Sequence, residues 1–124
     1  STKDGIKRIT ITEEFERGKI EYSAVSLDGV NLIKDGECKT WFDGILVKSE
    51  NYVNGLLDGV KTNYYLNGEI RNTTTWVAGI LHGKVTIWES NGVRIEYENV
   101  NGKPSGVMRI WDENNDHLGE VVLP

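Results

Sequence analysis

The sequence predicts an all-β fold: a single elongated antiparallel meander of stacked β-hairpin repeats, forming an open sheet. Two observations carry that expectation. A G-x-x-x-G phrase recurs in phase along the 124 residues, and Asn-Gly or Asp-Gly pairs punctuate stretches of alternating polarity. No segment shows a sustained helical stripe, and turn residues recur too often for a long helix.

The phrase appears as Tyr52-Val53-Asn54-Gly55-Leu56-Leu57-Asp58-Gly59, as Trp76-Val77-Ala78-Gly79-Ile80-Leu81-His82-Gly83, and as Asn99-Val100-Asn101-Gly102-Lys103-Pro104-Ser105-Gly106. Its first glycines lie 24 and 23 residues apart, and so do its second ones. Five residues beyond each second glycine stands an aromatic: Tyr64, Trp88, Trp111. One period back, Gly36 is followed at the same offset by Trp41. Asn-Gly closes the phrase at Asn67-Gly68 and Asn91-Gly92, and Asn114-Asn115 takes that place in the last copy.

Asp28-Gly29, Asp35-Gly36, Asp43-Gly44, Asn54-Gly55, Asn67-Gly68, Asn91-Gly92 and Asn101-Gly102 supply the positive φ of tight hairpin turns. Between them, Val93, Ile95 and Tyr97 alternate with Arg94, Glu96 and Glu98, the period of a strand with two unlike faces. Lys84–Trp88 and Ile9–Thr12 alternate similarly. The expected organisation is one domain over 1–124. Residues 1–35 form degenerate capping hairpins bounded by Asp4-Gly5, Arg17-Gly18 and Asp28-Gly29. Residues 36–115 carry the regular repeats, and 116–124 a closing strand.

Composition narrows the function classes. Hydrophobic residues at 38% and charged residues at 27% fit a folded domain rather than a disordered tail. No apolar run has transmembrane length, and no signal peptide is visible. The net charge of −5 comes without a Lys/Arg cluster, so no direct nucleic-acid contact is expected. A mildly acidic balance suits a basic protein partner, and is also ordinary for a globular chain. Cys38 is the single cysteine, which excludes an intrachain disulfide and points to a reducing, cytoplasmic setting.

The phrase running from Tyr52-Val53-Asn54-Gly55 through Asp58-Gly59 to Tyr64-Tyr65-Leu66-Asn67-Gly68 resembles the bacterial MORN-repeat family, in its short, YwqK-like antitoxin-component variant. It recurs at 76–92 and, eroded, at 99–115. Ala78 replaces the turn Asn, Pro104 enters the third G-x-x-x-G, and Asn115 replaces the last turn glycine. The resemblance implies a scaffold of hairpins, protein–protein contact, membrane-lipid association in some members, and no catalytic residues.

Candidates for chemistry have plainer readings. His82 and His117 lack a ligand at metal spacing, and His82 reads as a solvated loop residue. Cys38, two residues after Gly36, reads as a half-buried strand thiol rather than a nucleophile. Each glycine has a turn to make, so no phosphate loop is expected. Carboxylates such as Glu96 and Glu98 alternate as a solvent face does, and nothing singles out an acid–base pair. The expectation is a non-enzymatic protein without metal or cofactor.

The aromatics are the candidate partner-binding residues. Trp41, Tyr64, Trp88 and Trp111 share one offset and predict a ladder across neighbouring hairpins. Tyr52 and Trp76 predict a second, with Asn99 in the third place. Most of these side chains are expected to pack the sheet, with one or two also meeting a partner across an uncovered face. Asp112 and Glu113 add an acidic rim. The expected function is steric neutralisation of a protein partner (a basic toxin, effector or defence protein) by an antitoxin, immunity or phage-type inhibitor. The alternative is a MORN-like scaffold at a membrane surface or cell envelope, which would gather Lys and Arg on one face. Edge strands also offer a route to a homodimer.

Overall fold

In the computed structural model, residues 2–3 and 6–124 are described, with side chains from Lys7 onward; the Asp4-Gly5 boundary lies outside the described residues. Every regular element among them is a strand. These are β1 (Thr2–Lys3), β2 (Ile6–Phe15), β3 (Gly18–Ser26), β4 (Leu32–Phe42), β5 (Ile45–Val53), β6 (Leu56–Leu57) and β7 (Gly59–Tyr64). They continue with β8 (Ile70–Val77), β9 (Ile80–Leu81), β10 (Gly83–Trp88), β11 (Arg94–Val100), β12 (Lys103–Trp111) and β13 (His117–Val122). All join one open antiparallel sheet in chain order, with β6 paired only to β5 and β9 only to β8. The expected meander of hairpins is the observed architecture.

The second glycine of each phrase does not turn the chain. Tyr52 opposes Leu57 and Ser49 opposes Thr62, so two intervening residues of one strand face four of the other across Asp58-Gly59. Trp76–Leu81 and Thr73–Thr86 step the same way across Gly83, and β11 and β12 do so across Gly106. Asp35-Gly36, expected as a hairpin turn, lies inside β4 at the same two-residue shift between Ala24–Lys34 and Tyr22–Cys38. The correction has a simple cause: positive φ serves a bulge as well as a turn, and Gly36, Gly59 and Gly83 take φ of 106°, 103° and 115°. Because two residues are inserted rather than one, alternation keeps its phase across each of these glycine bulges.

The turns lie at the first glycines. Asp43-Gly44, Asn54-Gly55, Ala78-Gly79 and Asn101-Gly102 have positive φ at both central residues, the signature of the type I′ hairpin. Ala78 adopts φ 48° without a side-chain amide, and Asn115 supplies φ 65° where its sister repeats have glycine. The last turn closes like the others: Asn115 N–H donates to the Asp112 carbonyl at 3.0 Å, as Gly92 does to Glu89 and Gly68 to Tyr65. Pro104 opposes Asn99, one pair beyond the Val100–Lys103 pair that flanks the turn. In a two-residue hairpin that second pair exchanges no ladder bonds, so the missing N–H is not needed there.

Successive hairpins are clamped tip to tip. The N–H groups of Gly55, Gly79 and Gly102 donate to the carbonyls of Lys34, Leu57 and Leu81 at 2.8, 2.7 and 2.7 Å. Beside each bond an acceptor side chain takes the preceding N–H: Asp35 from Asn54 at 2.9 Å, Asp58 from Ala78 at 3.1 Å, His82 from Asn101 at 3.1 Å. These bonds matter because the sheet has no second layer. Its fully buried apolar side chains are few, Ala24, Val25, Cys38 and Val85 among the described residues, and most large side chains are half-buried against cross-strand neighbours.

Candidate binding surface

Paired residues share a face, so the registers place each ladder. Trp41, Tyr64, Trp88 and Trp111 lie on one face, and Tyr52 and Trp76 on the opposite face with Cys38. The two expected ladders therefore cannot meet one partner surface together.

On the first face a residue from the neighbouring strand opposes each aromatic: Leu46 faces Trp41, Ile70 faces Tyr64, and Arg94 faces both Trp88 and Trp111. The Arg94 guanidinium lies 4.3 Å from the Trp111 ring centroid, and Lys19 Nζ lies 4.9 Å from that of Trp41. His117 closes the row edge-on to Trp111 at 5.6 Å. Arg94 also donates to Glu96 at 3.0 Å and to Asn115 Oδ1 at 2.7 Å, which locks its plane over the indole. All four aromatics are half-buried. Each thus gives one side to the sheet and keeps one for solvent.

Open grooves separate successive turns along this edge, and the ladder lines them. One, of about 450 Å³, is walled by Phe15, Trp41, Phe42, Tyr64, Tyr65 and Leu66, with Arg71 at its rim. The next, of about 700 Å³, lies between Tyr65 and Trp88, with Glu69, Ile70 and Glu89 around it. The Tyr65 hydroxyl donates to the Trp88 carbonyl and so fixes the wall between them. Tyr65, Phe42 and Phe15 are groove residues that the repeat offsets did not single out, although Phe42 and Tyr65 share an offset one residue after the ladder.

The opposite face carries a polar row that spacing alone did not reveal. Tyr22, Cys38 and Glu50 follow one another across β3, β4 and β5, and Glu50 reaches Lys61 of β7 at 3.4 Å and Lys48 at 3.8 Å. Glu50 is 6% exposed and Cys38 2%. Lys34 Nζ sits between two rings, 5.0 Å from that of Tyr22 and 5.1 Å from that of Tyr52. The Tyr22 hydroxyl donates to Glu13 at 2.7 Å, and that bond raises its pKa. Burial raises the Cys38 thiol, with the Glu50 charge adding to it against nearby lysines, so the thiol is held in its protonated, weakly nucleophilic form. Tyr52 is also raised, first by burial and then by Glu50. Each charged group already has its partner, and this row reads as packing.

Trp76 Nε1 donates to Thr74 Oγ1 at 2.8 Å. Asn99, in the third place of that ladder, is 2% exposed. Asp112 is committed to its own turn, accepting from Asn114 and Asp116 N–H at 2.9 Å, while Glu113 is exposed beside Gly92. His82 is a partly exposed residue between β9 and β10, and its Nδ1 holds the Asn101 N–H. No three His, Cys, Asp or Glu side chains among the described residues gather in metal-binding geometry. No helix among them is long and apolar enough to cross a membrane. Comparison with family models and with curated proteins finds no match to the chain.

Proposed function

We propose that this protein is a non-enzymatic binding module that inhibits or neutralises a protein partner by covering its surface, in the manner of an antitoxin, immunity or phage-type inhibitor protein. The supporting observation is the groove-lined edge, where Trp41, Tyr64 and Trp88 keep one side open to solvent between successive hairpin turns. Aromatics held rigid by a sheet lose little entropy on binding and make strong anchors. The repeat-by-repeat hairpin stack supports a MORN-like kinship, and the single reduced cysteine supports a cytoplasmic setting.

The test is affinity capture from native lysate with the wild-type chain and with the Trp88→Ala/Trp111→Ala double variant, each checked for its melting temperature. One stoichiometric protein retained by the first and lost by the second, with the fold intact, is the expected result. If both proteins capture the partner equally, the ladder is only packing. Stoichiometric retention on anionic vesicles instead of a protein would favour the scaffold reading.

A further inference from the structure

One place in the repeat stands opposite each aromatic of the first ladder. Leu46, Ile70, Arg94 and His117 hold it, facing Trp41, Tyr64, Trp88 and Trp111. The first three follow Gly44, Gly68 and Gly92 by two residues, and His117 follows Asn115 by two. Arg94 shows what a side chain in this place can do. Its guanidinium leans onto the next ladder aromatic, 4.3 Å from the Trp111 ring centroid, and is held there by Glu96 at 3.0 Å and Asn115 Oδ1 at 2.7 Å. The two turns beside it pack together: a Cβ on Gly92 would stand 2.6 Å from Cβ of Glu113.

One repeat earlier the same place holds Ile70, too short and too apolar to act in this way. The space between Tyr65 and Trp88 is the open groove of about 700 Å³. Lys19 lies over Trp41 and Arg94 over Trp111, whereas among the described residues no cation of the chain lies over Trp88. The groove nevertheless carries acceptors for one. Glu69 and Glu89 line it and are exposed, and neither pairs with a Lys, Arg or His among the described residues. Asn67 donates to Oε1 of Glu69 at 2.8 Å, which leaves Oε2. Arg71, next to Ile70, lines the neighbouring groove instead.

We propose that this groove receives an arginine side chain of the protein partner, its guanidinium stacked on Trp88 and bonded to Glu69 and Glu89, as Arg94 lies on Trp111. A planar guanidinium meets both demands at once, since its face stacks on an indole while its edge forks toward carboxylates. A lysine ammonium is a point charge, more strongly hydrated and without a face to stack. The inference rests on the reading of this edge as the partner-binding surface, and names the group that surface takes.

Titration of the chain with N-acetyl-arginine amide, followed through the indole N–H resonances, tests the groove without the partner. The Trp88 signal, identified by its loss in Trp88→Phe, should shift saturably. Those of Trp41 and Trp111 should stay, because Lys19 and Arg94 already lie on their rings. N-acetyl-citrulline amide, alike in shape but uncharged, should bind about tenfold more weakly. Ile70→Arg, at a position 41% exposed, should abolish the response by supplying the guanidinium from within the chain. Glu69→Gln together with Glu89→Gln should weaken binding about tenfold, and carries the same test should Ile70→Arg not fold. No Trp88 response, equal responses of the three ladder tryptophans, or equal binding of the citrulline compound would overturn the inference. So would equal capture of one partner by the wild type and Ile70→Arg, a result that leaves the partner function standing. A specific arginine response with no partner captured keeps the site and removes that function instead.

Discussion

Nδ1 of His82 accepts the backbone N–H of Asn101 at 3.1 Å, in the place where Asp35 and Asp58 accept from Asn54 and Ala78 in the preceding repeats. An imidazole thus does here what a carboxylate does elsewhere, and only its Nε2–H tautomer can do it. His82→Ala should lower stability by about 1 kcal/mol, the typical net value of such a bond, and His82→Asp should restore it. Thermal melts of the two variants decide: an equal loss in both would mean that the imidazole body, not its acceptor, is what matters.

Ala78 stands at φ 48° where its sister turns have Asn or Asp. A Cβ in the left-handed region costs roughly 1–2 kcal/mol, which Asn offsets through local hydrogen bonding and Gly avoids. Ala78→Gly and Ala78→Asn should therefore both raise the melting temperature, a gain of about 1 kcal/mol for Gly. A neutral or negative result in urea or heat would show that Ala78 is compensated by its contacts.

The bulge glycines should differ among themselves. A Cβ at Gly83 would stand 3.1 Å from both Cβ and Cγ2 of Thr75 at φ 115°, whereas one at Gly106 meets nothing within 4 Å at φ 80°. Gly83→Ala combines strain with a clash and should cost about 2–3 kcal/mol, against about 1 kcal/mol for Gly106→Ala. Paired denaturant titrations would expose an error in this ordering.

Asp28 anchors the loop between β3 and β4. Backbone N–H groups of Asn31 and Val30, both at 2.8 Å, and the Asn31 side chain hold its pKa down at about 2. A folded-state pKa below the unfolded one contributes stability that is present above the ordinary carboxylate value of about 4 and disappears as pH falls toward 2. Between those limits the wild type should lose stability that Asp28→Asn does not lose. Melting temperatures of both proteins followed across this window should converge in acid; parallel curves would remove the anchor.

The repeat was legible because it is written in residue types whose backbone physics is local. Asn101-Gly102 and Asn54-Gly55 take positive φ wherever they stand, and Val93, Ile95 and Tyr97 alternate with Arg94, Glu96 and Glu98 in any strand. The aromatic offset placed Trp41, Tyr64, Trp88 and Trp111 on one row for the same reason. Asp35-Gly36 reads as a turn in the sequence because positive φ alone does not say whether the chain reverses or merely inserts two residues. The partner strand's register decides that.

By itself, then, the amino-acid order determined an all-β chain of hairpins, its period and its common aromatic row, since propensity and spacing act over a few residues. Only the tertiary pairing decided that the two aromatic rows lie on opposite faces, that His82 and Asp58 clamp neighbouring tips, and that Cys38 and Glu50 lie buried in one cross-strand row. Each of these depends on which residue of a distant strand stands opposite. Register is set by the bulges and turns accumulated between the two strands, so it is not a property of either strand alone.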